Sequence, residues 1–297
     1  MTRRSRTGIR SAPAGEPPRR RFLTLFRGLT RNRQKWQVFS DFCALSALAL
    51  ANGIVKDEGR EAEYMGVIAR YEELEDRLAL KAMLDCVVEA LEADFDFERR
   101  DSRPVTPVGD FVGSLFMELE LSSHWHGQFF TPYDLCQAVA HLTYSREDLQ
   151  LHVAQDGFVT ALEPACGAGA MVIAFAALMR EYGFQPHEHM HVVAVDVDRT
   201  AAHMCFIQLA LLGIPATVHI GNSLTNELGA GFHTPAHILG GWSLRLWLRR
   251  LRSSAILADA PEETAASPPA AAAAAAPDES AFAFALVPAR QIDLFAG

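Results

Sequence analysis

The chain has 297 residues, 49% of them hydrophobic, enough to bury the core of one large domain or two small ones. Its formal net charge is −9, yet eleven of the 27 basic residues and a single acid fall within the first 35 positions, so the rest is strongly acidic. Five scattered cysteines, Cys43, Cys86, Cys136, Cys166 and Cys205, form no C-x-x-C pair, which argues against a disulfide framework or a cysteine-rich zinc site and fits a reducing cytoplasm.

Residues 1–34 read as a disordered basic arm, because Pro13, Pro17 and Pro18 interrupt any amphipathic helix there. Such an arm suits a polyanion such as DNA, since every phosphate it neutralises releases counterions. The plainer alternative is a solubilising tail that contacts nothing specific. Residues 35–109 form a helical region: "KWQVFSDFCALSALALANGI" and "REAEYMGVIARYEELEDRLALKAMLDCVVEALEADF" repeat apolar residues at spacings of three and four. The apolar runs are read as too short for the ~20 residues of a bilayer span, so no membrane segment is expected.

Residues 110–257 change character after "DFVGSLFMELEL". "FVTALEP", "HVVAVDVD" and "ATVHIGN" read as strands, separated by the helices "AMVIAFAALMREYG" and "RTAAHMCFIQLALLG", which end at Gly183 and Gly213. Strand, helix, strand, helix, strand implies a parallel sheet, whose ligands sit beyond the carboxyl ends of its strands. "HTPAHILGGWSLRLWLRRLRSS" reads as one basic amphipathic helix, and residues 258–290 as an Ala/Pro-rich linker before the terminal peptide 291–297.

The chemistry gathers at "ALEPACGAGAM", residues 161–171. Gly167 and Gly169, directly after a strand, let backbone N–H groups approach a ligand, and the following helix aims its positive end there. Asp196, closing the next strand, supplies a carboxylate for both hydroxyls of a ribose. A third phosphate-binding glycine is replaced by Val172, which favours an uncharged nucleoside over a dinucleotide. Asp198 suits a helix N-cap, and Cys166 has no base placed beside it that would make it a nucleophile. His187, His189 and His191 would share one face of a strand as a metal site, but no fourth ligand is indicated, so they and "HWH" at residues 124–126 are read as solvated loops and no metal is expected.

"GQFFTP" at residues 127–132, "EPACGAGAM" at 163–171 and "VDVDRTAAHMCFIQLALLG" at 195–213 together resemble the N-6 adenine-specific DNA methyltransferases of restriction-modification type. The resemblance implies a Rossmann-like α/β fold that binds S-adenosylmethionine, with DNA as the partner. It places Phe130, Thr131 and Pro132 at the methionine end of the cofactor, Glu163, Ala165, Gly167 and Gly169 in its loop, and Asp196 on its ribose. Asn222 stands where the family commonly has an aspartate facing the adenine.

The family's Asn/Asp-Pro-Pro-aromatic motif, which holds a flipped-out adenine, has no counterpart. "ILADAPEE" has Ala260 where the first proline belongs, and "SPPA" at residues 267–270 lacks the aromatic. The catalytic residues are therefore unassigned, and the fold is expected to be truncated. Catalysis is then absent, performed by unfamiliar residues, or completed by a second methyltransferase or specificity subunit. The terminal "QIDLF" resembles the peptide that docks bacterial proteins on the DNA sliding clamp, through Gln291, Leu294 and Phe295. Its rival reading is a terminal element packed on the protein's own core.

Overall fold

A computed structural model describes residues 16–93, 109–121, 130–258 and 285–286. Its helices and strands follow in chain order: α1 (Pro18–Leu29), α2 (Lys35–Ile54), α3 (Glu58–Ile68), α4 (Leu74–Ala93), α5 (Phe111–Glu118), α6 (Tyr133–Thr143) and α7 (Arg146–Asp156) precede β1 (Val159–Glu163). Then come α8 (Ala170–Glu181), α9 (Pro186–His189), β2 (Met190–Asp196), α10 (Arg199–Leu211), β3 (Ala216–Asn222), β4 (Glu227–Leu228), β5 (Phe232–His233), α11 (Pro235–Leu239), α12 (Trp242–Ala258) and β6 (Ala285–Leu286).

The sheet order is β4-β3-β2-β1-β6. β1, β2 and β3 are parallel, with Val159 opposite Met190 and Val192 opposite Ala216, so their carboxyl ends open on the same side. The α/β alternation expected for a Rossmann-like methyltransferase fold is present over these strands. β4 and β5 fold back antiparallel on β3. β1 carries on its other edge only the two residues of β6 among the described residues.

The basic arm expected over residues 1–34 is corrected in its second half. Residues 1–15 lie outside the described residues, but Pro18–Leu29 is a helix that buries Phe22, Leu23, Leu25, Phe26 and Leu29. Pro17 and Pro18 do not break this helix; they occupy its N-cap and first helical positions, where a missing N–H costs nothing and the fixed φ favours the helix.

α2 is 20 residues long and, by length and composition, apolar enough to cross a bilayer. In this fold it is a core helix: Val38, Phe39, Phe42, Cys43, Ala47 and Leu48 are all within 1% of complete burial. It packs on α10, where the Ser40 and Thr200 hydroxyls meet at 3.0 Å. One apolar core thus runs from α1 through the sheet to β5. The single helix expected after residue 233 is broken in two, because Gly241 takes φ +62° between α11 and α12.

Candidate functional site

The site is built at the carboxyl ends of β1 and β2. Past Glu163 the chain turns through Gly167 (φ +52°) and Gly169 (φ +95°), backbone conformations that L side chains rarely adopt. The loop is stitched to β2: the Cys166 N–H donates to the Val195 carbonyl (2.9 Å), and the Gly167 N–H donates to Oδ2 of Asp196 (2.8 Å). Oδ1 of Asp196 accepts from the Asp198 N–H (2.9 Å), and Asp198 in turn caps α10 by accepting from the Ala201 N–H. Oδ2 of Asp196 thus holds the glycine loop and Oδ1 the turn into α10, yet each retains a second lone pair for a ligand hydroxyl.

Gly169 is the N-cap of α8, and no side chain caps that helix. The N–H groups of its first turn, with the positive end of the helix dipole, therefore face the loop. Phe130 covers the loop from the other side. A Cβ at Gly167 would lie 2.8 Å from the Phe130 ring, so this glycine is required by contact as well as by φ. Phe130 itself packs on Phe116 of α5, with ring centroids 5.0 Å apart.

The electrostatics of the cleft follow from burial of acids close together. Glu163, half-buried and accepting from the Ala165 N–H (3.3 Å), has its carboxyl pushed up to about 7, first by burial and further by the neighbouring Asp196 charge. Asp196, only 9% exposed, is also raised by burial, against the two backbone N–H groups that favour its ionised form. The Cys166 thiol is held well above its ordinary range by its hydrogen bond with Cys205 and by burial, which makes it inert as a nucleophile.

The structure thus gathers Phe130, Glu163, Ala165, Gly167, Gly169 and Asp196 around one loop. Thr131 and Pro132 are exposed beside it, Pro132 as the N-cap of α6. Asn222 closes β3, but its side-chain oxygen accepts from the Leu224 N–H (2.9 Å) and so caps the following turn. Val197 and Leu224, 65% and 95% exposed, set apolar side chains at the ends of β2 and β3. Neither was singled out from sequence, although Val197 directly follows Asp196.

Sequence reasoning also missed Gln208, fully buried on α10. Its amide donates to the Ala168 carbonyl (2.8 Å) and to Asp110 (2.7 Å), and its oxygen accepts from the Val112 N–H (3.0 Å). It ties the glycine loop to α5, and a lone amide within "CFIQLALL" was the available signal.

The histidines separate. His187 and His189 sit on α9 and not in a loop, while His191 is buried in β2 and shares a 2.8 Å hydrogen bond with His237. The solvated-loop reading of His191 is therefore corrected: a strand position facing α11 leaves it no water. Among the described residues no group of three or more His, Cys, Asp or Glu side chains could hold a metal. Residues 124–126, Asp259, the "SPPA" segment and Gln291, Leu294 and Phe295 lie outside the described residues.

With this geometry in view, residues 114–238 match the family model of the N-6 DNA methylases. That match takes in all three motifs that carry the resemblance, and S-adenosylmethionine is the cofactor the matched family implies. Among solved structures the chain is similar to a protein of Listeria monocytogenes assigned as a class I S-adenosylmethionine-dependent methyltransferase, at 17% identity and a TM-score of 0.28. The similarity covers 61% of this chain, which spans about half, 51%, of that protein. The fold stands on the strand order above and not on that likeness. No curated protein matches the chain.

Proposed function

We propose that this protein binds S-adenosylmethionine at the β1–β2 loop and serves methylation of adenine N6 in DNA. The observation that carries the reading is the cradle at Gly167. A loop whose glycine admits no Cβ lies between the Phe130 ring and a strand-end carboxylate, beside an uncapped helix N-terminus. These residues fit the cofactor. Asp196 is assigned the ribose hydroxyls, Val197 an apolar contact with the nucleobase, Glu163 the cationic methionine end, and Phe130 with Thr131 and Pro132 the wall beside it. Asn222 lines the adenine side through its turn. When bound, the cofactor supplies an activated methyl group; the protein's part is to orient it and exclude water.

A second reading has a specific observation in its favour: β1's outer edge is paired with only Ala285 and Leu286 among the described residues, and no base-binding motif was found in the sequence. In that reading the chain is a cofactor-binding scaffold, with a partner subunit or the sliding clamp bringing it to DNA. Residues 110–257 are then the methyltransferase-like unit, and residues 291–297 the clamp peptide.

Transfer of a labelled methyl group from S-adenosylmethionine to unmethylated DNA, with modified nucleosides identified by mass spectrometry, tests the first reading. N6-methyladenine above a Gly167/Gly169 double-variant background is the expected result. Absence of transfer by a chain that still binds the cofactor would hand the case to the scaffold. Deletion of residues 291–297 should abolish co-elution with a bacterial sliding clamp; unchanged co-elution would remove the clamp from either reading.

A further inference from the structure

We infer that the outer face of α1, continued into the turn behind it, is a rigid phosphate-binding ridge for duplex DNA; this deepens the DNA reading above and rests on it. The arginines of this segment divide into two sets. Arg19 pairs with Glu118 and donates to the Ser114 hydroxyl (2.9 Å), Arg21 pairs with Glu89 (2.7 Å), and Arg33 pairs with Asp76 (2.8 Å). These anchor the helix to α4 and α5. Arg20, Arg27, Arg31 and Lys35 are exposed and make no ion pair among the described residues.

The second set is not explained by folding. A helix that buries five apolar residues needs only solvation on its outer side, and mixed charges provide that best. Here the first turn has no acid and carries Arg19, Arg20 and Arg21 against the helix dipole, an arrangement that destabilises an isolated helix. The chain has 36 acidic residues and a net charge of −9, yet none of the acids stands between Arg20 and Arg31. Charge of one sign kept at a local cost, on a helix held by ion pairs, is the arrangement that a polyanion would repay. Arg20 and Arg27 stand about 10.5 Å apart along the helix axis, a spacing fixed by the fold.

Position adds to the argument. Arg19 ties α1 to α5, and α5 presents Phe116 to Phe130, the ring that covers Gly167. The ridge is one helix away from the cofactor loop, so DNA held there lies on the same body as the methyl-donor site.

The test is fluorescence anisotropy of the full-length chain with a labelled random-sequence duplex from 50 to 200 mM salt. It compares wild type, the triple variant Arg20→Ala/Arg27→Ala/Arg31→Ala, and a control with the same charge change at the exposed Lys56, Arg146 and Arg252. Each phosphate contact contributes about 0.9 to the slope of log K against log salt, so the ridge variant should lose between about 2 and 3 from that slope and bind roughly a hundredfold more weakly. The control should follow wild type. A ridge variant with the wild-type slope, or a control that loses as much as the ridge variant, overturns the proposal. Wild type that fails to bind duplex at 50 mM salt overturns both the ridge and the DNA reading, while cofactor calorimetry on the same sample reports separately on the loop. The Gln triple variant and an unchanged melting temperature guard against loss of fold.

Discussion

The two ends of β2 bury polar groups to opposite effect. At its carboxyl end Asp196 and Glu163 stand beside a glycine loop, with backbone N–H groups turned toward them and lone pairs to spare. At its amino end His191 bonds His237, His237 reaches the Ser243 hydroxyl (3.0 Å) and stacks on His233, and His233 meets the Thr217 hydroxyl (3.1 Å). Trp242 closes this end, with Arg245 lying 3.8 Å over its ring. The comparison teaches that burial of titratable groups does not by itself mark a site. The histidines bond one another and hold α11 and α12 to the sheet, with only the Trp242 indole N–H beside them buried without a partner among the described residues, whereas the carboxylates keep free lone pairs beside the glycine loop.

The largest effect expected from breaking this contrast is at Gly167. Gly167→Val forces a side chain into the Phe130 ring and into a left-handed φ, and should reduce S-adenosylmethionine affinity by at least a hundredfold, about 2.7 kcal/mol, in calorimetry. Asp196→Ala, which removes the carboxylate proposed to accept from the ribose and leaves the Gly167 N–H unheld, should weaken binding by between about tenfold and a hundredfold. Equal affinity in variant and wild type would remove the ribose assignment. At the other end, His237→Leu leaves the buried His191 without its partner and should cost about 1–3 kcal/mol of stability in urea titration, while cofactor affinity stays within about twofold.

How much of this was legible follows the range of the interactions. The three parallel strands and the two long helices between them, α8 and α10, lie within a residue or two of their expected bounds, because hydrophobic period and helix-ending glycines are local signals; Gly183 and Gly213 do take positive φ, +89° and +63°. The glycine loop and Asp196 are legible from their places at the ends of adjacent strands, and Phe130 only through the family resemblance; the structure brings the three together. Gln208 is not legible, since its partners Asp110 and Ala168 lie 98 and 40 residues away. The buried pairing of His191 with His237, 46 residues apart, was hidden for the same reason. α1 was lost to a misjudged local rule: proline stops a helix from within but starts one at its first turn.

The smallest effects, and the ones that sharpen the comparison most, come from pH. Burial, aided by the neighbouring imidazoles, lowers His191 to about 3 and His237 to about 4, from 6.5. Both are neutral in the fold, so their contribution is whole above about pH 6.5 and drains away as acid protonates the unfolded chain first. Glu163 runs the other way: raised from 4.5 to about 7, it favours folding fully below about pH 4.5 and loses that contribution as pH climbs toward 7. Glu163→Gln should therefore raise the melting temperature at pH 8 by about 2–4 °C, roughly 1 kcal/mol for a chain of this size, and change it little at pH 4.5. A rise of the same size at both pH values would show that the gain is one of packing and not of charge. If Glu163 receives the cationic end of the cofactor, binding draws its carboxyl back to the ionised form and releases a proton near neutrality. Affinity should then fall severalfold between pH 8 and pH 6, with a heat that depends on the buffer's ionisation enthalpy, and Glu163→Gln should flatten both. The imidazoles at the far end of β2 titrate without touching the ligand, so His237→Leu should leave that profile in place, and a shift there would mean that the two ends of the strand are coupled through it.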